Sequence, residues 1–305
     1  MIEPTWEFEA IGTHWRVTLF EEASDGQKEA LFELIQKRIA EFDKNYSRFR
    51  DDSLVALMSR TAGEYTLPDD ARRMFDVYRR MYDVTGGLVT PLVGKVLVDA
   101  GYDSAYSLVQ KKMSRPKGWD DVLGYDFPEL LVREPALLDF GAGGKGYLVD
   151  IVGELLEEHS VRSYCVDAGG DMRHRSVVGA GVESVFLRVG LENPEQTDEV
   201  IGVATIANQS LCGSAGNRRR WPVTHNGTHG TLHHIINPRT LSSPEHILAV
   251  WVIADTTLLA DILTTALFFV SPDTLTPHFD FQFLILHADH SVTSPPNFPA
   301  ELFTV

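Results

Sequence analysis

Asp261 and Thr265 stand four residues apart in VIADTTLLADILTTALFFV, where an apolar run ends at Ala254 and a helical pattern follows. On a helix that spacing puts a carboxylate and a hydroxyl on one face, one turn apart, as hard oxygen donors suited to Mg²⁺. A plain surface role is the competing reading, with Asp261 hydrated and Thr265 bonded back to a helix carbonyl. The neighbours Leu258, Leu259, Ile262, Leu263, Ala266 and Leu267 are all apolar, which predicts a half-buried Asp261 in need of a partner. In LHHIINPRT, His233 and His234 precede an apolar pair and an Asn-Pro turn. An imidazole there suits a general base or a phosphate contact, or else an ordinary hydrogen-bonded strand end.

Glycines carry the second set of signals. LDFGAGGKGYLVD holds four glycines in six residues between an apolar run and a helical pattern. Such a turn lets backbone amides approach a phosphate at a helix N-terminus. Gly141-x-Gly143-x-x-Gly146, with Asp167 closing the next apolar run, even satisfies a dinucleotide fingerprint. DAGGDMR places Asp167, Gly169, Gly170 and Asp171 at a strand end, either for close approach of a ligand or as a tight hairpin turn. A Walker loop fails because Asp139 stands at its first glycine position and Gly146 follows Lys145. There is no Gly-x-Ser-x-Gly elbow, and no Cys/His spacing of the zinc type.

The elements that must position these residues follow from periodicity. A strand is expected at HWRVTLF, then a helix over QKEALFELIQKRIAEFD with Leu31, Leu34, Ile35 and Ile39 on its buried stripe. A second helix starts after Pro68 and turns Met74, Phe75, Tyr78, Met81 and Tyr82 inward before Gly86-Gly87. Further helices are expected at 147–158 and 257–270, and strands at 162–167, 185–190, 202–207, 248–254 and 281–287. After Asp167 the chain has strand and turn composition where a doubly wound sheet needs a crossover helix, so the nicotinamide reading fails. The expected class is α+β with a largely antiparallel sheet.

Composition narrows the partners. The 305 residues carry 43 acidic against 27 basic side chains, a formal charge of −16, which repels nucleic acid and anionic lipid. The basic cluster Arg218-Arg219-Arg220-Trp221 is a solvated or partner-facing loop, or a contact for one anionic ligand. Cys165 and Cys212 alone exclude a disulfide framework. With no apolar run of spanning length and no leader pattern at MIEPTWEFEAIG, a cytoplasmic protein without membrane insertion is expected.

Taken in order, IGTHWRV, FDKNYSRFRDDSLVALM, TGGLVTPLVG, LDFGAGGKGYLVD, VDAGGDMR, SLCGSAGNRRRW, HIINPRT and ADTTLLADILTTAL resemble the ApbE family, the Mg²⁺-dependent FAD:protein FMN transferases. The resemblance runs to about residue 270, and eight ordered motifs are far more specific than one glycine fingerprint. It implies a single two-lobed domain over 1–305, of largely antiparallel sheets with packed helices. FAD is then the substrate in a cleft, with Mg²⁺ at its pyrophosphate.

By the same resemblance the metal is held by Asp261, Thr265 and the backbone carbonyl of Gly144, beside Lys145. The flavin and adenosine contact Ile11, Phe49, Thr90, the segment with Asp167, Gly169, Gly170 and Asp171, and the region of Ser214. His234 matches the family's histidine, so His234 and Asp261 are the implied catalytic residues. The implied reaction moves FMN from FAD to a threonine hydroxyl of a client protein and releases AMP. With water as acceptor it becomes an FAD pyrophosphatase, and without turnover a flavin-binding protein. This chain departs from the family at Val89-Thr90-Pro91-Leu92, where an aromatic-Asp-Pro-Thr run is usual, and at Ile11, Phe49, Ala215 and Leu241, where Met, Tyr, Gly and Gly are usual.

Overall fold

Strict alternation makes THWRVTL a strand: Trp15, Val17 and Leu19 turn inward while Arg16 is exposed. It belongs to a mixed architecture seen in a computed structural model that describes residues 5–176, 186–217, 219–225 and 228–303. The first half comprises β1 (Trp6–Ala10), β2 (Thr13–Leu19), α1 (Asp25–Tyr46), α2 (Leu54–Met58), β3 (Gly63–Thr66), α3 (Ala71–Val84), a 3₁₀ turn at Pro91–Val93, α4 (Gly94–Asp99), α5 (Trp119–Val122), β4 (Leu123–Asp126) and β5 (Glu129–Val132). Then come α6 (Gly144–Glu158), β6 (Tyr164–Ala168), β7 (Asp171–Arg175), β8 (Leu187–Asn193), β9 (Gln196–Ile206), β10 (Ser210–Ala215), β11 (Arg220–His225) and β12 (Thr228–His233). The chain closes with β13 (Ile247–Ala254), α7 (Thr257–Ala266), α8 (Pro272–Leu275), β14 (Gln282–His287), β15 (Val292–Thr293) and β16 (Ala300–Leu302).

Eight strands form the main sheet in the order β1-β2-β6-β7-β10-β13-β14-β15, and every described pairing is antiparallel. Helix α6 packs on β6 and β7, and α7 on β10 and β13. β13 reads ILAVWVIA because both of its faces are covered. Val250, Val252 and Ala254 enter the core shared with the helices, while Ala249, Trp251 and Ile253 enter a second core closed by β8, β9 and β16. A third cluster joins α4 to β11 and β12 through Leu97, Tyr102, Trp221 and Leu232.

Several boundaries move from expectation. α6 begins at Gly144, three residues before 147, so Gly144 to Gly146 form its first turn. α7 stops at Ala266, short of 270. Leu34 lies outside the stripe of α1, which buries Leu31, Ile35, Ile39, Phe42 and Tyr46 instead. β10 is a central strand that periodicity missed, since six residues with Gly213 and two serines give little alternation. The strand expected from 185 begins at Leu187, residue 185 lying outside the described residues, as does Arg218 of the basic cluster. Among the described residues no helix is long and apolar enough to cross a membrane.

Candidate active site

Two tight hairpins meet at one end of the main sheet. Ile11-Gly12 joins β1 to β2 with φ of 45° and 76°, and Gly169-Gly170 joins β6 to β7 with φ of 60° and 96°. Positive φ at both central residues is the turn that suits a two-residue hairpin. A side chain on Gly169 would place Cβ 2.1 Å from Thr13 Oγ1, so glycine lets the hairpins touch, and Gly169 N–H donates to the His14 carbonyl at 2.9 Å. Ile11 is β-branched yet left-handed, a strained choice of the sort that collects at ligand sites. Ile11, Asp167, Gly169 and Gly170 line a cavity of about 810 Å³.

A second wall comes from the α6/α7 junction. Gly146 N–H, which has no acceptor within its own first helical turn, donates to Asp261 Oδ2 at 2.8 Å. The helices cross so closely there that a Cβ on Gly146 would lie 2.3 Å from the Thr257 carbonyl oxygen. Gly144, Lys145, Asp261 and Thr265 thereby share the cavity wall. Asp261 is only 5% exposed; burial and the nearby Asp171 push its carboxyl well above the usual range. Lys145 bonds the Ala168 carbonyl at 3.2 Å and forms an ion pair with Asp171. Burial opposes its charge, but Asp171 and Asp261 outweigh that and hold the ammonium above its ordinary value.

Asp171 departs from its expected cofactor contact. Its residue is 1% exposed and absent from the cavity lining, because it opens β7 pointing at Lys145. It therefore acts on the cavity through Lys145. Ser214 lines the cavity and shares a 2.8 Å hydrogen bond with Thr264 of α7.

The third wall is cationic and aromatic. Phe49 and Thr90 line it, with Phe49 stacked on Tyr106 at 5.7 Å between ring centroids. The Arg48 guanidinium lies 4.1 Å over Phe49 and 4.7 Å over Tyr102, and that of Arg219 lies 5.2 Å over Tyr102. Arg48 Nε bonds Asp139 and its Nη1 donates to the Tyr102 carbonyl at 2.9 Å, while its buried Nη2 has no partner. Burial and Arg48 lower the pKa of Arg219. Motif reading gave Arg48 and Asp139 no role, whereas Arg219 belongs to the basic cluster read as a possible contact for one anionic ligand, and it does line the cavity. The available signal was a carboxylate, Asp139, directly before the glycine turn, together with an arginine in SRFR.

His234 and His233 separate by face. His234 lines the cavity, half-buried, with its Nδ1 unpartnered. Burial, then His233, Arg219 and Lys145, push its pKa down to about 3, so the ring is neutral. His233 is buried, its Nε2–H donating to the Pro244 carbonyl at 3.0 Å and its Nδ1 accepting from Ile235 N–H.

The residues at the α6/α7 junction fit a hard divalent cation. The carboxylate of Asp261 is buried, and the adjacent ammonium of Lys145 is already engaged by Asp171, so Asp261 is left to take a proton or a further cation. Thr265 and Gly144 line the same wall, and a hydroxyl and a main-chain carbonyl are hard oxygen donors of the kind Mg²⁺ takes beside water and substrate phosphates. Among the described residues no three His, Cys, Asp or Glu side chains converge as a metal cluster.

An antiparallel sheet with helices on one face, whose hairpin turns meet the N-terminal turn of α6 at a cavity of about 810 Å³, makes this an α+β protein. Residues 11–279 match the ApbE family, and the chain belongs to it. An FAD:protein FMN transferase of Escherichia coli (strain K12) is 25% identical over 288 residues, covering 88% of this chain and 78% of that protein. One from Treponema pallidum is also 25% identical, over 285 residues, covering 85% and 76%. The fold matches the ApbE protein of Thermotoga maritima with a TM-score of 0.80 at 19% identity, over 97% and 99% of the two chains. It matches the flavin transferase ApbE of Vibrio cholerae with a TM-score of 0.75 at 15% identity, over 96% and 97%.

Proposed function

We propose that the chain is an Mg²⁺-dependent FAD:protein FMN transferase that moves FMN from FAD to a threonine hydroxyl of a client protein and releases AMP. The observation that carries this is the meeting of Asp261, Thr265, Gly144 and Lys145 on one wall of the cavity. In support, curated relatives across most of the chain's length bear that enzyme's name. Asp261, Thr265 and the Gly144 carbonyl would hold Mg²⁺, which when bound neutralises charge on the bridging phosphates. Ile11, Phe49, Thr90, Asp167, Gly169, Gly170 and Ser214 face the nucleotide, and Arg219 offers donors to its polar edges or anionic groups, with Arg48 adding positive charge behind the same wall.

In the reaction the threonine oxygen bonds to the FMN-side phosphorus and the bond from that phosphorus to the bridging oxygen breaks. AMP departs with the bridging oxygen, and the client keeps FMN as a phosphoester. The threonine proton passes to His234, a neutral imidazole on a residue that lines the cavity. With water in place of threonine the same bonds change and FMN and AMP are both freed. A cytoplasmic location is part of the same proposal, and recovery in the cytosolic fraction checks it.

Incubation with FAD, Mg²⁺ and a client bearing an acceptor threonine should add the mass of FMN to the client. Asp261→Ala should lower AMP release by about 10²–10³-fold. AMP formed at full rate without any client makes the chain a pyrophosphatase, and FAD bound but left intact makes it a binding protein.

A further inference from the structure

Two of the residues proposed to hold the cation, Asp261 and Thr265, reach the cavity on α7, so what fixes α7 fixes them. Its first turn is held from α6. Asp150, fully buried, accepts Thr257 N–H at 2.9 Å and Leu258 N–H at 2.8 Å. The same carboxylate accepts Arg173 Nη1 at 3.0 Å, and Arg173 spends its other donors on the Tyr164 hydroxyl at 2.9 Å and Glu157 at 3.0 Å. The remaining free amide of that turn, Leu259 N–H, goes to the Thr256 hydroxyl at 3.3 Å. In the opposite direction, Asp261 of α7 accepts Gly146 N–H of α6 at 2.8 Å.

Each helix is thus capped by a carboxylate from the other. The spacing matches on both sides: Gly146 to Asp150 and Thr257 to Asp261 are each one helical turn. With Gly146 pressed against the Thr257 carbonyl, a slide or rotation of α7 breaks both caps at once.

The geometry points to Asp150 as a positioning residue: by clamping the first turn of α7, braced by Arg173, it sets where the Asp261 carboxylate and Thr265 hydroxyl stand in the cavity. Its metal readout rests on the function proposed above; its amide readout does not. A cap of purely structural value would cost stability and leave the cavity wall in place.

Asp150→Asn in the full chain keeps the shape of the side chain and one good acceptor. With Mn²⁺ alone as probe, followed by electron paramagnetic resonance, its dissociation constant should rise about tenfold. Hydrogen exchange at the Gly146 amide should quicken relative to the rest of α6, because the Asp261 cap is lost. Ser53→Ala removes a remote helix cap, the one given to Ala56 N–H, and should change neither readout. Should Asp150→Asn not fold, Arg173→Lys, which leaves Asp150 in place but unbraced, is measured the same way and should show the smaller shift in the same direction. Unchanged Mn²⁺ affinity and unchanged Gly146 exchange in a folded variant overturn the clamp. If the wild type binds no Mn²⁺, the metal centre fails, and Gly146 exchange alone then decides the clamp.

Discussion

At the scale of single residues, burial in the cavity wall keeps His234 neutral. His234 has a pKa near 3, so free enzyme should show no loss of activity through the range where an ordinary imidazole titrates. A pH–kcat/KM profile of FAD cleavage with an inflection at about 6.5 would argue that another histidine, or a different base, takes the proton. His234→Ala should lower transfer by about 10²–10⁴-fold while FAD still binds, as a titration of flavin fluorescence can show. Asp171 makes the related point that a motif residue can serve a site from behind, since its partner Lys145 stands in the wall and it does not.

Elements bring a different kind of constraint. α6 and α7 approach until only hydrogen fits at position 146, and the two helices carry every proposed metal ligand between them. Gly146→Ala must part the helices or strain both, at a cost of about 1–3 kcal/mol, and should also displace Asp261. Denaturant unfolding measures the first effect and AMP release the second; a variant as stable and as active as wild type would mean the junction is looser than these contacts require. The helix pattern of α3 and the strand pattern of β2 were readable from spacing because each buries one regular face, and α7 from its long apolar run, which is buried on nearly every side. β10 was not, because its register comes from β7 and β13 on either side rather than from its own alternation.

For the molecule as a whole, acid should loosen the fold through histidine. His174 is fully buried in β7, accepts Asn208 N–H, and has its pKa pushed down to about 4, first by burial and then by Arg175. The unfolded chain takes up that proton near pH 6.5 and the folded chain only near 4, so stability falls as pH falls between them, by roughly 3 kcal/mol from this group. Thermal unfolding from pH 7 to 4 should show the decline, and His174→Gln should lose this part of the slope. Ligand linkage works in the other direction: FAD with Mg²⁺ should raise Tm further than FAD alone, and equal shifts would count against a cation held jointly by Asp261 and the pyrophosphate.

Local order determined a great deal by itself. Helical and strand periodicities, the glycine turns, and eight motifs in sequence order were enough for an α+β class, a family resemblance and a set of candidate residues, because each is written in neighbouring positions. Tertiary structure alone decided that His234 and not His233 meets the cavity, that Asp171 stands behind Lys145, and that Arg48 and Arg219 both lie against the ring of Tyr102. It also decided how α6 and α7 cap one another, through partners 107 to 115 residues apart in the chain. Such contacts depend on how sheets and helices close around a core, and no window of local sequence contains both halves of them.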